Sequence, residues 1–161
     1  MGKKGKLRIG WFTFACSEDS TILMTEIMND CWQEWKKKVE FAYARVLQTQ
    51  NELNDLDVAF IEGAITTDKD AERAKEIRKN SKYVVAVGSC AVTGMPTAQR
   101  NLFDSELKKE IKPLLIKFKH REKVQPVKDI IKVDDDVPGC PMNEKIFLEI
   151  LDKYLKLFKV K

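Results

Sequence analysis

The sequence contains a single histidine, and none of its apolar runs is long enough to cross a bilayer. With one histidine and no grouping of serine, histidine and aspartate, hydrolytic catalysis by a triad has no support. A membrane span needs about 20 consecutive apolar residues, so we expect no direct membrane insertion. The basic first six residues lead straight into a strand-like segment without a cleavage site, and we therefore expect no secretory signal.

The net charge is small, +4 at pH 7, with 29 lysines and arginines against 25 acidic residues. The lysines are scattered over helix-like segments without interleaved aromatic residues, which favours solvated helix faces over nucleic-acid binding. The 161 residues suffice for a packed core, because 43% of them are apolar. Since no repeat or linker divides them, we predict a single domain over residues 1–161.

Cysteine is also sparse, with four in the chain. Disulfide scaffolds are usually smaller and denser in cysteine, so four cysteines point first to metal binding or to free thiols. Both states need a reducing compartment. We therefore expect the protein in the cytoplasm.

Strand-like segments alternate with amphipathic helical patterns along the chain. This alternation predicts an α/β fold in which helices cover both faces of an open parallel sheet. Pro113 is expected to kink or break the helix that contains it. Predicted strands cover residues 6–15, 56–63 and 83–87, with a shorter one at 127–133. Predicted helices begin at residue 19, continue as a second amphipathic stretch through 47, and cover about 68–80, 104–120 and 143–158.

Three cysteines follow segments that read as buried strands or strand-end loops. They are Cys16, Cys90 and Cys140, each beside glycine, serine or proline in a short loop. Because the carboxyl ends of parallel strands meet at one edge of a sheet, these thiols are expected to converge there. One strand-end cysteine is readily explained by core packing, but three are not. Converging thiolates are the ligands that an iron–sulfur cluster requires.

The fourth ligand has two candidates. If a helix begins near Asp19, Cys31 lies about 18 Å along it at ~1.5 Å per residue, and its apolar neighbours favour a buried structural thiol. Asp19 stands in the same loop as Cys16, in a Cys-x-x-Asp arrangement. A carboxylate is a harder donor than a thiolate and favours ferric iron. A plain helix N-cap is the alternative role of Asp19.

These residues resemble those of the small, electron-transferring subunit of [NiFe] hydrogenases, a family related to the 20 kDa B subunit of respiratory complex I. The resemblance implies a flavodoxin-like fold and a proximal [4Fe–4S] cluster that faces a catalytic large subunit, with Cys16, Asp19, Cys90 and Cys140 as its ligands. The matching blocks run nearly the whole length in order: Cys16 to Ser20, Ile61 to Ile65, Val87 to Ala91 with Gly94 and Pro96 to Asn101, and Val133-Asp134 through Pro138 to Pro141.

The chain departs from that family pattern in three ways. Asp19 stands where most relatives have a second cysteine, although coenzyme F420-reducing hydrogenases are similar in having an aspartate ligand. The adjacent cysteines of the complex I branch are absent. The chain also has no cysteine after Cys140, so it looks like a short, one-cluster, cytosolic type rather than a subunit with medial and distal clusters.

The resemblance implies an electron-transfer subunit that performs no substrate chemistry itself. It would relay electrons between the metal site of a [NiFe]-hydrogenase-type large subunit and a further iron–sulfur or flavin subunit. Two alternatives are a flavodoxin-like module that binds FMN at the same sheet edge, and a structural subunit without a cluster. Glu62 is expected either to relay protons or orient a partner, or to hold neighbouring loop amides. For Arg100 and Asn101, partner docking and simple loop structure are equally expected.

Overall fold

The computed structural model describes residues 5–160, over which seven strands and five α-helices follow one another along the chain. Short 3₁₀ helices lie at Thr97–Leu102 and Val127–Asp129. The strands are β1 (Leu7–Thr13), β2 (Val39–Ala44), β3 (Leu56–Glu62), β4 (Ile65–Thr67), β5 (Ser81–Val87), β6 (His120–Gln125) and β7 (Asp135–Val137). The α-helices are α1 (Asp19–Lys38), α2 (Asp68–Lys79), α3 (Gly88–Thr93), α4 (Ser105–Lys117) and α5 (Glu144–Leu157).

Five strands form one sheet in the order β2-β1-β3-β5-β7, and every neighbouring pair is parallel. The predicted α/β fold with an open parallel sheet is therefore confirmed, and the strand order is that of a flavodoxin-like fold. From β1 the chain first adds β2 on one side and then crosses to add β3 on the other. Folds with such a reversal place their binding sites at the carboxyl ends of the strands.

Helices cover both faces of this sheet because its inner strands are apolar on both sides. In β3, Val58 and Phe60 point to the core that contains α1 and α5, whereas Ala59 and Ile61 point to the core that contains α2 and α3. This alternation is the two-residue period of a strand. All four side chains are fully buried, as the central strand of a doubly covered sheet requires.

An aromatic group fixes the start of α1 against the sheet. Trp11 stacks on Phe60 with ring centroids 5.7 Å apart, and Phe147 of α5 meets both rings edge-on. The Trp11 indole N–H donates to the Thr21 hydroxyl at 2.8 Å. Since Thr21 lies in the first turn of α1, the position of that turn is tied to the end of β1.

A second sheet of two antiparallel strands, β4 and β6, lies beside α4. Helix α4 contains no buried residue and continues through Pro113, so the break expected there is absent. Several large apolar side chains in and beside α4 are exposed: Leu102, Leu107, Leu114, Ile116 and Phe118. None of the helices within residues 5–160 is both long and apolar enough to cross a membrane.

Two sequence predictions were wrong. The stretch after Lys38 is not helical but forms the edge strand β2, in which Val39, Ala42 and Ala44 are buried. Their spacing also fits a helix, but β-branched and aromatic residues favour the strand that pairs with β1. The predicted strand over 127–133 is a 3₁₀ helix and turn, and the strands on either side, β6 and β7, are highly charged because they lie at sheet edges.

Candidate metal centre

The carboxyl ends of four parallel strands lie side by side at one edge of the large sheet. Their register forms a row across the sheet: Thr13 pairs with Glu62, Glu62 with Val87, and Val87 with Val137. Each candidate cysteine lies three residues beyond its own member of this row (13 to 16, 87 to 90 and 137 to 140). The three cysteine loops therefore leave the sheet from the same row.

Cys16 and Cys90 lie on the inner side of this edge. Cys90 is buried in a small apolar group against which the half-buried Cys16 packs. The Cys90 sulfur is 3.1 Å from the Thr97 hydroxyl, which donates in turn to the carbonyl of Ala15 at 3.2 Å. Thr97, which sequence reasoning did not single out, thus joins the two cysteine loops.

Asp19 and Cys140 lie on the outer side. The exposed Cys140 thiol donates to the Asp19 carboxylate at 3.1 Å, across 121 positions of sequence. The N-cap of α1 is Glu18, whose side chain makes no capping bond, and Asp19 is the first residue of the helix. The second Asp19 oxygen accepts only the neighbouring Ser20 N–H, at 2.9 Å, among the bonds found in the described chain. The N-cap alternative for Asp19 is therefore not the arrangement found.

Glu62 ends β3 beneath these loops and is 2% exposed. Its carboxylate accepts the Ser20 N–H at 3.1 Å, the Thr21 N–H at 3.0 Å and the Thr21 hydroxyl at 2.5 Å. Burial raises the pKa of Glu62, while the bonds from Thr21 and Ser20 counteract part of that rise. Within residues 5–160, neither Glu62 nor Asp19 forms an ion pair with a lysine or arginine.

The thiols share one electrostatic environment. Burial raises the pKa of the Cys16 thiol to about 12, and the Glu62 carboxylate and the Cys90 thiol add to that rise. The hydrogen bond to Asp19 raises the pKa of Cys140, to which Cys90 and Glu62 also contribute. Thiolates at these positions lie close to one another and to two carboxylates. A cationic group that binds thiolate and carboxylate would offset this accumulation of negative charge.

The donor set has the number and kind of ligands that a [4Fe–4S] cluster would take. Over residues 5–160 no three His, Cys, Asp or Glu side chains are grouped closely enough to hold one metal ion. A [4Fe–4S] cluster takes one protein ligand at each of four irons. Three thiols and one carboxylate supply four donors, and soft sulfur ligands suit iron–sulfur chemistry.

Other residues singled out in the sequence lie elsewhere or serve local structure. Cys31 packs against the core from within α1, away from the strand ends. The Asn101 side chain bonds both the N–H and the carbonyl of Val124, and the Arg100 guanidinium donates to the Arg121 carbonyl. These bonds favour the loop-structure alternative for both residues. The single histidine, His120, begins β6.

A separate cleft of about 1120 Å³ opens between the ends of β1 and β2 and helix α2. Phe12 and Tyr43 stack in its wall with centroids 4.5 Å apart, and the Arg73 guanidinium lies over the Tyr43 ring. None of the four candidate ligands lines this cleft.

Comparison with known proteins identifies the family of the chain. The family model described as NADH ubiquinone oxidoreductase, 20 kDa subunit, matches residues 16–154. The chain belongs to this family. The match spans the loops of all three strand-end cysteines, and it confirms the resemblance to the complex I subunit and its hydrogenase relatives.

The relatives of this 20 kDa-subunit family member include hydrogenase subunits. It is 33% identical over 133 residues to a subunit of the F420-non-reducing hydrogenase of Methanothermobacter marburgensis, covering 73% of this chain and 43% of that protein. It is 28% identical over 113 residues to the delta subunit of the NAD-reducing hydrogenase HoxS of Cupriavidus necator, covering 59% and 53%. The chain thus spans under half the length of the first relative and about half that of the second.

A solved structure extends the likeness to almost the full chain. A chain of an NAD⁺-reducing [NiFe]-hydrogenase crystal structure in the H₂-reduced state matches with a TM-score of 0.76 and 25% identity. The alignment covers 94% of this chain and 92% of that one. By family, the chain belongs with the 20 kDa subunits of complex I-type oxidoreductases, and it is similar to hydrogenase subunits.

Proposed function

We propose that this chain is the electron-transfer subunit of a [NiFe]-hydrogenase or a related multi-subunit oxidoreductase, with a proximal [4Fe–4S] cluster held by Cys16, Asp19, Cys90 and Cys140. The observation that carries the proposal is the row of strand ends, beyond which three cysteines follow at one common spacing. The bond between Asp19 and Cys140 supports the fourth position. Family membership supports the class of complex.

The chain's own residues would bind the cluster and shield it unequally. When bound, a [4Fe–4S] cluster supplies a centre that takes up and gives back single electrons. Cys90 is buried and Cys16 half-buried, so that side excludes water, whereas Cys140 is exposed on the other side. This asymmetry suits a centre that a partner subunit covers. Substrate chemistry would take place on that partner.

The proposed partners are a [NiFe]-hydrogenase-type large subunit and a further iron–sulfur or flavin subunit. Relatives named as subunits of hydrogenases support this class of partner. The apolar side chains on and beside α4 support assembly as well, because large exposed apolar patches commonly mark protein interfaces. The free state of all four cysteines supports a reducing, cytoplasmic location.

The experiment is an anaerobic purification of the chain with its native partners, followed by spectroscopy and metal analysis. The proposal predicts iron and acid-labile sulfide in this chain, a broad visible shoulder, and an electron paramagnetic resonance signal on reduction. Structured twin bands without iron would indicate the flavin alternative. If the purified chain contains neither iron nor flavin, it is a purely structural subunit. Identification of the co-purified chains tests the partners.

A further inference from the structure

Ser20 contacts Glu62 and the two chain segments that carry Cys90 and Cys140. It is the second residue of α1 and is fully buried. Its backbone N–H donates to Glu62 at 3.1 Å. The Ser20 side-chain oxygen accepts the N–H of Met142, two residues beyond Cys140, at 3.1 Å. Ser20 therefore bonds the end of β3 through its backbone and the Cys140 loop through its hydroxyl.

The start of α3, the helix that contains Cys90, packs on the same hydroxyl. Gly88 has φ +81°, and a Cβ added there would lie 3.0 Å from the Ser20 oxygen. The neighbouring Ser89 N–H donates to the carbonyl of Gly139 at 2.7 Å. The first turn of α3 is thus bonded to the Cys140 loop and lies close against Ser20.

The first loop is coupled through chain connectivity. Ser20 directly follows Asp19, whose carboxylate accepts the Cys140 thiol. The anchoring of Ser20 by Glu62 therefore fixes where Asp19 can stand relative to Cys140. Four elements meet at Ser20, in the first turn of α1. Its N–H bonds Glu62 at the end of β3, and its hydroxyl contacts Gly88 at the start of α3 and Met142 in the loop after β7.

We propose that Ser20 is a positioning residue that sets the spacing of the cysteine loops around the cluster, an inference that rests on the proposed function. Removal of its hydroxyl would leave the buried Met142 N–H without its acceptor and would open a gap against Gly88. The Cys140 loop would then move relative to Asp19. Outer-shell bonds of this kind typically alter metal affinity by about 10- to 100-fold.

The test compares Ser20→Ala with Ser81→Ala in the purified complex. Ser81 is a matched control, because it is also buried and its hydroxyl also bonds one backbone group, the Ile77 carbonyl at 2.7 Å. It begins β5, at the opposite end of that strand from Cys90. Each variant loses one buried hydroxyl, so we expect similar drops in the midpoint of thermal unfolding.

Only Ser20→Ala is expected to change the cluster. We expect iron release to a chelator to be about 10-fold faster than in the wild type, with broadened or shifted g-values in the reduced protein, while Ser81→Ala retains both wild-type properties. Equal release rates and spectra in both variants would overturn the role of Ser20 and leave the proposed function intact. A wild-type complex without iron would overturn both.

Discussion

Alanine at Gly139 should damage the metal centre more than the fold. Gly139 has φ +115°, which an L-residue adopts at a cost of about 1–3 kcal/mol. A Cβ there would lie 2.5 Å from the Pro141 carbonyl oxygen and 3.0 Å from the Asn143 nitrogen. Both are backbone atoms, so the loop itself must move by about 0.5–1 Å to reach ordinary contact. Metal sites tolerate displacements of about 0.5 Å, and Cys140 is the next residue.

The assay measures iron per chain and the rate of iron release from the purified complex, beside the urea midpoint. For Gly139→Ala we expect release about 10-fold faster or more, in line with other changes to the surroundings of metal ligands. Gly5→Ala is the matched control, because Gly5 also has positive φ, +102°, but nothing lies within 4 Å of its added Cβ. It should retain the wild-type iron content. Full iron content and an unchanged release rate in Gly139→Ala would refute the reasoning.

Three further predictions concern other positions. Asp19→Ala should alter the paramagnetic resonance signal, whereas Asp19→Cys should retain iron and raise the reduction potential because thiolate is the softer donor; an unchanged signal in the alanine variant argues against ligation. Burial alone would raise the pKa of Asp134, but hydrogen bonds from the Val84 N–H and the Arg78 guanidinium outweigh it, so the pKa of Asp134 is lowered. Its stabilising contribution is therefore present above about pH 4 and lost as the pH falls through the lowered value. Asp134→Asn should cost about 1.5–3 kcal/mol at pH 7 in urea unfolding and progressively less in acid; a constant difference contradicts this. Leu107 and Leu114 lie seven residues apart on one face of α4, and Ile116 lies on the opposite face. If that paired apolar face meets a partner, Leu114→Glu should weaken association with the partner subunits in size-exclusion chromatography more than Ile116→Glu does; equal effects would contradict docking through the Leu114 face.

The sheet edge that carries the candidate ligands could be predicted because each of its inner strands can be recognised from its own residues. The apolar runs of β1, β3 and β5 mark strands buried on both faces, and parallel pairing then brings their ends together. The edge strands were not predicted because the local sequence of each one does not indicate a β-strand. Strand β6 has the sequence His-Arg-Glu-Lys-Val-Gln. An exposed two-stranded sheet accommodates these polar and charged residues, but their pattern does not predict a strand. The apolar residues after it are buried by packing on α2 and α3 rather than by pairing.

Ser20 could not be predicted at all, for a related reason. Its partners, Glu62 and Met142, lie 42 and 122 positions away in sequence. No spacing rule connects a serine in the first turn of a helix to such partners, and a helix-start serine ordinarily indicates capping. Its contacts arise only when β3 and the loop after β7 are placed beside α1.

The contacts of Glu62 favour a holding role over proton relay. A relay needs hydroxyl groups that can turn around and pass a proton onward. The Thr21 oxygen accepts from the Trp11 indole while its hydrogen goes to Glu62. An indole N–H is a donor only, so the Thr21 hydroxyl cannot reverse without leaving that N–H unpaired in a buried site. The backbone N–H groups of Ser20 and Thr21 also donate to the Glu62 carboxylate. The chain of hydrogen bonds through the Thr21 hydroxyl therefore ends at a group that cannot accept a proton, and the carboxylate anchors the first turn of α1.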